Sequence, residues 1–519
     1  MNATATHQHD FADDEFGLIA DLIGRTAVAA PDRTALAQDD RVLSYAELDA
    51  LMDRVAAALQ RDGVSPRTAI AVCASTSIPY AALFLGALRA GVAVSPLAPS
   101  STPAQLAGMV ADCGATLLFL DATTAESLEG AGAATRRIAL DDGEAGEPFS
   151  RWLAPEGTRP APTAIEPSDP FNIIYSSGTT GVPKGIVQSH RMRWGHVRRA
   201  KDFGYDATAR TLISTPLYSN TTLVSFFPTF AGGGAVFLMA KFDAHRFLEL
   251  AQRHRITHAM LVPVQYRRIM ALPDFDRFDL SSFRMKFCTS APFDAALKAD
   301  VLKRWPGGLV EYYGMTEGGG SCMLVAHEFP TKLDTVGRPA EGHDIRLIDE
   351  NGVEVGPGEV GEIVGHSPAI MNGYHNQPAK TAEAQWRAPD GRVFMRTGDV
   401  GRFDADGFLR LMDRKKDMII SGGFNVYPSD IEAILARHPA VAEAAVVGVP
   451  SEAWGETPVA FVVPKGSAEA SPAEIRDWAN GQLGKTQRVA DVRVVDSLPR
   501  SAIGKVLKRD LREGYGVRS

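Results

Sequence analysis

Short apolar runs alternate, over the first 320 residues or so, with longer stretches whose apolar positions recur every three to four residues. This rhythm predicts a helix over 17–30 and a hairpin from Ala35-Leu36-Ala37 through Asp39-Asp40 to Val42-Leu43-Ser44-Tyr45. A second helix then runs to Leu59, with Ser44 and Glu47 spaced as a capping box. Strands at 69–73, 93–96 and 116–120 are separated by helices at 79–90 and 103–113. The alternation resumes after residue 185, with helices at 189–201, 220–230 and 243–254 and strands at 211–215, 235–239, 258–262 and 284–289. A helix from Pro292 and a strand near 309–312 close the series. Strands separated by helices predict an α/β fold with mainly parallel sheets. Residues 335–410 change to short strands between Gly, Pro, Asn and Asp turns, a β-rich subdomain, and 417–519 carries its own α+β pattern. Residues 121–168, rich in Ala, Gly, Glu and Pro, are expected to be a surface passage.

At 519 residues the chain is long enough for several core units. The uncharged stretch 211–240 holds Pro216, Asn220, Pro228 and Gly232-Gly233-Gly234, so it predicts a buried strand–helix–strand passage and no membrane span. Lys plus Arg number 54 against 62 Asp plus Glu, a formal charge of −8, which gives no electrostatic case for nucleic-acid binding. The four cysteines, Cys73, Cys113, Cys288 and Cys322, form no Cys-x-x-Cys pair, and the first fifteen residues have neither a basic nor an apolar leader segment. Both features point to the reducing cytoplasm. The partners expected are small molecules, with a homodimer as the candidate assembly.

Chemistry concentrates first in Tyr175-Ser176-Ser177-Gly178-Thr179-Thr180-Gly181-Val182-Pro183-Lys184-Gly185, between the apolar runs Phe171-Asn172-Ile173-Ile174 and Ile186-Val187. Glycines let backbone N–H groups approach phosphate oxygens, hydroxyls add donors and the lysine supplies a charge. Pro183 before the lysine and Gly185 after it break the nucleotide P-loop pattern. Further along come Glu311-Tyr312-Tyr313-Gly314-Met315-Thr316-Glu317, Arg396-Thr397-Gly398-Asp399, the run Asp413–Asn425, and Pro499-Arg500-Ser501-Ala502-Ile503-Gly504-Lys505.

These five motifs, in this order, resemble the adenylate-forming superfamily, in its AMP-forming acyl- and aryl-CoA synthetase branch. The resemblance spans 175–505. It implies a large N-terminal domain (1–413) of α/β subdomains with the β-rich subdomain, a hinge at 414–416, and a small mobile lid domain (417–519). It also implies ATP, coenzyme A and a carboxylic acid as substrates and Mg²⁺ as cofactor. ATP phosphates would lie on Ser176, Ser177, Gly178, Thr179, Thr180, Gly181 and Lys184. Adenine and ribose would meet Ser290, Ala291, Pro292, Glu311, Tyr312, Tyr313, Asp399 and Arg414. Thr316 would bond the α-phosphate, Glu317 would hold the metal, and Lys505 would draw charge off the α-phosphate as the carboxylate attacks. Lys416 falls at the hinge, while Gly422, Gly423 and Trp454 would face coenzyme A.

The acyl pocket expected from the same resemblance uses Trp194, Tyr218, Ser219, Thr289, Gly314 and Met315, mixed walls that suit an aromatic or medium- to long-chain acid. Two departures bear on it. Thr289-Ser290 stands where the family commonly has Gly-Gly, and Ser219 stands where many relatives carry histidine. Pro216–Thr221 lacks the aspartate that amino-acid-activating relatives use, and no carrier segment follows Lys505, which favours coenzyme A over a carrier thiol. A nucleotide-binding relative without turnover is the remaining alternative. The basic residues Arg191, Arg193, Arg198, Arg199 and Lys201 are expected on a solvated helix face, with a hold on an acidic substrate tail or the coenzyme A phosphates as the alternative. Cys288 is expected in the core.

Overall fold

The computed structural model describes residues 14–129, 131, 135–176, 184–414, 417–421, 424–466, 471–501 and 506–516. They divide into two compact units, 14–333 with 340–344 and 366–395, and 334–339 with 345–365 and 396–516. The α/β class is what the alternation of apolar runs predicts, and a large and a small domain are what the family resemblance implies. The units cut through the β-rich stretch 335–410 and do not part at residue 413.

The first unit holds two sheets. One runs in the spatial order Ser321–Val325, Gly308–Gly314, Met285–Cys288, His258–Leu261, Arg210–Ile213, Ala235–Leu238, Thr34–Gln38, Arg41–Ser44. All its neighbours are parallel except the outermost pair at each end. The other runs Gly373–Tyr374, Lys184–Ser189, Pro170–Ser176, Ala93–Pro96, Ala69–Cys73, Leu117–Leu120, Arg136–Ala139, Glu147–Pro148. Strands such as Ala69–Cys73 are buried along their whole length, which is why they read as unbroken apolar runs.

The main core takes Leu36, Ile213 and Val236 from the first sheet and Ile70, Val94 and Phe171 from the second, so it lies between them. Helices Tyr45–Arg61, Ile78–Arg89 and Asn220–Ala231 fill it, the last inside the uncharged 211–240 passage. The capping box is present: the Ser44 N–H donates to Glu47 Oε2 at 2.7 Å, and the Glu47 N–H to Ser44 Oγ at 3.2 Å.

Residues 121–168 correct the expected surface passage. Arg136–Ala139 and Glu147–Pro148 add two strands to the second sheet, and Trp152 is fully buried. Its ring meets Phe119 edge to face at 5.0 Å, and its indole N–H donates to Asp62 Oδ2 at 2.7 Å. A four-residue strand that begins with two arginines, and the two-residue edge strand Glu147–Pro148 beside it, show little apolar period, so their pairing is not legible locally.

In the second unit, Leu409–Arg414 pairs antiparallel with the 399–403 end of Val393–Phe403. A further sheet has the order Phe424–Val426, Ile419–Ser421, Gly455–Pro464, Val441–Ser451, with Asp491–Val494 beside Gly455–Pro464. Helices Pro428–Leu435 and Pro472–Asn480 bury Ile431, Leu435, Ile475 and Ala479 in one core with this sheet. Leu511, from the helix Lys508–Gly516, joins a separate core against its other residues.

Candidate active site

Ser176 and Lys184 face each other across the antiparallel strands Pro170–Ser176 and Lys184–Ser189, and residues 177–183 of the candidate phosphate loop lie outside the described residues. The Lys184 ammonium sits over the Tyr374 ring, 5.0 Å from its centroid. The Tyr374 hydroxyl in turn donates to Glu317 Oε1 at 2.9 Å. Two motifs far apart in sequence are therefore joined through a tyrosine that sequence reasoning missed.

Backbone pairing fixes the Thr316–Glu317 turn. The Met371 N–H donates to the Glu317 carbonyl at 2.9 Å, and the Gly319 N–H to the Ala369 carbonyl at 3.0 Å. Gly318 has φ +73°, and a Cβ there would come within 2.1 Å of the Ala369 oxygen, so only glycine allows this crossing. From beneath, Gln188 Nε2 donates to the Thr316 carbonyl at 2.6 Å. Gln188 Oε1 accepts from Asn172 Nδ2 at 2.9 Å and also from Arg193, whose Nε donates to Asn172 Oδ1 at 3.1 Å. All three side chains are buried. Burial alone pushes the Arg193 guanidinium down to about 9. A buried network of this kind holds the turn in place because each removed partner leaves an unpaired polar group.

Thr289, Ser290 and Ala291 are half-buried and Pro292 is exposed, at the C-terminal end of the strand Met285–Cys288 where α/β sheets bind ligands. Ser290 adopts φ +83°, in the region that favours glycine, and its Oγ lies 2.5 Å from Thr221 Oγ1 on the helix Asn220–Ala231. The hydroxyl contact thus offsets the strain of a non-glycine residue at the position the family gives to glycine. Ser290→Ala keeps the strain and loses the bond, so it should be less stable than Ser290→Gly by about 1–2 kcal/mol. Urea midpoints of the two variants check this.

Side chains alternate along Gly308–Gly314, so Tyr313 shares a face with Glu311 and Tyr312 points the other way. Two corrections follow. The Glu311 side chain is committed to the core: it is 3 % exposed and its carboxylate contacts the equally buried Lys298 of the helix Ala295–Arg304. Burial pushes its carboxyl up to about 7, against the pull of Lys298. Tyr312 stacks on Phe287 with an interplanar angle of 11° and carries the Arg199 guanidinium at 5.4 Å, on the side of the helix His190–Ala200. Tyr313, buried, and Thr316 and Glu317, half-buried, remain on the candidate nucleotide side.

Among the expected acyl-pocket residues, Gly314 is exposed and Met315, Thr289 and Tyr218 are half-buried. Ser219 is buried and precedes the helix Asn220–Ala231, its side chain making no capping bond. Trp194 is a further correction: it packs in the core beside Phe16 and Gly17, with its indole N–H donating to the Asp14 carbonyl at 3.1 Å. The basic residues split. Arg191, Arg198 and Lys201 are exposed, whereas Arg193 and Arg199 turn inward. Burial pushes the Cys73 thiol up to about 12 and Cys288 well above its usual value, so neither is a nucleophile.

In the second unit the backbone of Asp399 pairs with that of Arg414, and the Asp399 N–H donates to Thr397 Oγ1 at 3.0 Å. Lys416, Gly422, Gly423 and Lys505 lie outside the described residues. Ser421 pairs with both Phe424 and Gly455, so the segment flanking the glycine pair meets the turn that carries Trp454. Trp454 is 42 % exposed, Ile420 53 % and Phe424 61 %, three exposed large apolar side chains at this end of the sheet. Near Lys505, the Leu507 N–H donates to the Pro499 carbonyl at 2.8 Å, and Arg500 pairs with Glu443 at 2.6 Å.

Residues 23–375 match the model of the AMP-binding enzyme family, and residues 430–505 match that of the AMP-binding enzyme C-terminal domain. An indoleacetate–CoA ligase from Aromatoleum aromaticum is 33% identical over 512 residues, covering 95% of this chain and 98% of that protein. A fatty acid–acyl-carrier-protein ligase, ScoC, from Streptomyces coeruleorubidus is 33% identical over 497 residues, covering 93% and 94%. Among solved structures, ATP-bound MatB from Rhodopseudomonas palustris superposes with a TM-score of 0.86 at 29% identity, covering 96% of this chain and 99% of that one.

Proposed function

The chain belongs to the AMP-binding enzyme family, in its acyl- and aryl-CoA synthetase branch, and from that premise we propose that it is an ATP-dependent carboxylic acid–CoA ligase. In the first half-reaction a carboxylate oxygen attacks the α-phosphorus of ATP, the bond to the β-phosphate breaks and pyrophosphate leaves. In the second, a thiol sulfur attacks the acyl carbonyl, the C–O bond to AMP breaks and the thiol proton passes to solvent. The observation that carries this reading is the contact chain Lys184–Tyr374–Glu317, which gathers the phosphate-loop strand and the Thr316–Glu317 turn into one site.

In this reading Ser176, the loop 177–183 and Lys184 hold the β- and γ-phosphates, Thr316 donates to the α-phosphate, Tyr313 stacks on adenine against Ser290–Pro292, and Asp399 accepts from the ribose hydroxyls. Arg414 contacts the ribose or phosphate, and Lys416 is the hinge about which the lid turns between half-reactions. Gly422, Gly423 and the apolar face of Trp454 receive the pantetheine arm. The donor set fits Mg²⁺, which takes hard oxygen ligands from one carboxylate plus substrate phosphates and waters. Glu317 offers Oε2, which has no protein partner among the described residues, while Tyr374 occupies Oε1. Mg²⁺ would supply charge neutralisation at the phosphates. The four cysteines are buried and unpaired, which suits the cytoplasm.

The Tyr374 hydroxyl orients the metal carboxylate, so Tyr374→Phe should raise the Mg²⁺ concentration giving half-maximal pyrophosphate release by about 10-fold. A metal titration at saturating ATP reads this, and an unchanged midpoint would remove Tyr374 from the site.

The test of the whole proposal follows pyrophosphate and AMP release over aryl, arylalkanoic and fatty acids, with and without coenzyme A. Acid-dependent pyrophosphate with AMP turnover accelerated by coenzyme A is the expected result. The likeness to ScoC favours a second reading, in which the acceptor is a carrier-protein thiol. Pyrophosphate release indifferent to coenzyme A would select it.

A further inference from the structure

On the helix His190–Ala200, residues 192, 195, 196 and 199 share one face at i, i+3, i+4 and i+7. Gly195 leaves that face open: a Cβ built there meets nothing nearer than the Ala369 Cβ at 3.9 Å. Beside the gap, His196 Nδ1 is buried without a hydrogen-bond partner among the described residues. Arg199 NH1 donates to Ser321 Oγ at 3.1 Å, and the guanidinium lies over Tyr312. The Ser321 N–H donates to His343 Nδ1 at 2.9 Å, so a neutral His343 carries its proton on Nε2 as a further donor. No carboxylate pairs with Arg199, His196 or His343 among the described residues. Burial, with the cations Arg193 and Arg199 nearby, holds His196 well below its usual value, and burial with Arg199 brings His343 down to about 4. The cluster is thus one cation and two neutral imidazoles, rich in donors and lacking an anion.

Ser321 is the pairing partner of Gly314, one residue before Met315, so this cluster adjoins the expected acyl pocket. Tyr312 lies two residues further down the same strand, about 7 Å deeper. That spacing exceeds a two-carbon acid and suits a ring or chain with a substituent at its far end.

We propose that Arg199 and His196 form the distal end of the acyl pocket and select a carboxylic acid that carries an oxygen acceptor, phenolic or carboxylate, remote from the reacting carboxyl. The inference rests on the ligase reading and names its substrate class. An oxygen there accepts from the Arg199 guanidinium and meets the unpartnered His196 ring, whereas a bare hydrocarbon end leaves both unanswered.

The test measures kcat/KM for pyrophosphate release with matched acids: 3-phenylpropanoic against 3-(4-hydroxyphenyl)propanoic acid, and octanoic acid against its ω-carboxylate. The oxygenated member of one pair should be preferred about 10-fold or more, expressed mainly in KM. The pair showing the preference tells phenol from carboxylate. In Arg199→Met and in His196→Leu that ratio should fall toward one, and in Arg199→Lys it should recover in part. Thermal melting checks folding, and Ser321→Ala, which removes the hydroxyl that steadies Arg199 and lies 3.2 Å from His343 Nδ1, reads the same ratio if Arg199→Met does not fold. Turnover of both members with no preference, or a preference that survives in the variants, overturns the inference and leaves the ligase standing. Absence of acid-dependent pyrophosphate across the full panel overturns the ligase reading and this inference with it.

Discussion

Lys505→Ala should reduce acid-dependent pyrophosphate release by about 10²–10³-fold while slowing thioester formation from a preformed acyl-adenylate far less. The basis is electrostatic. Negative charge spreads over the α-phosphate oxygens as the carboxylate attacks, and a cation about 4 Å away in a partly water-excluded site is worth about 4 kcal/mol. The second half-reaction develops its charge at a carbonyl carbon's oxygen and needs no cation on the phosphate. The residues flanking this lysine are held in the second unit by the Arg500–Glu443 ion pair and the Leu507–Pro499 backbone bond. Assaying the two half-reactions separately decides the matter. Equal losses in both would make Lys505 a general binding residue and not the adenylation cation.

Why some of this was legible in the sequence and some was not has a physical answer. Strands buried on both faces, such as Ala69–Cys73 and Ala93–Pro96, carry their burial in their own residues, and they stand in the structure at the bounds the sequence predicts. As sequence signals the Tyr175–Gly185 and Thr316–Glu317 motifs are equally local, because the backbone approach and hard-oxygen chemistry expected of them demand particular residues in a row. What couples them is not local. Tyr374 is 57 positions from Glu317 and reaches it only because Gly373–Tyr374 pairs with the strand Lys184–Ser189. Arg193 and Arg199 read as part of a basic run suited to solvent, yet the helix turns them onto Asn172 and onto Tyr312. A helical face is polar by composition whether it meets water or a buried network, and composition cannot tell the two apart. Trp194 and Glu311 fail for the same reason. Each residue type suits a ligand site, and tertiary packing has used both as scaffold.

Lys298→Met carries the second large effect, a loss of about 3–5 kcal/mol at pH 8, because it strands the Glu311 carboxylate in the interior without its counter-charge. Lys298 also donates to the Leu333 carbonyl at 2.7 Å, so the substitution unties the helix Ala295–Arg304 at two points. The pH dependence separates the ionic part. Burial raises the Glu311 carboxyl in the folded state above its ordinary value of 4.5, to about 7. A folded-state value above the unfolded one means stability that is whole below about 4.5 and is lost as pH rises through about 7. Without Lys298 the carboxyl rises further, so the variant's deficit should shrink at pH 5, where Glu311 folds as a neutral acid, and widen toward pH 8. Urea midpoints at the two pH values measure this, and a deficit of equal size at both would assign the loss to packing. In Lys298→Met/Glu311→Leu no charge remains to be stranded, and apolar groups of similar volume replace the pair, so stability should return to within about 1 kcal/mol of the parent. Such a recovery would mean that the strand bearing Tyr313 is held by packing as well as by charge, and that the buried pair adds a pH-dependent constraint on the motif's position.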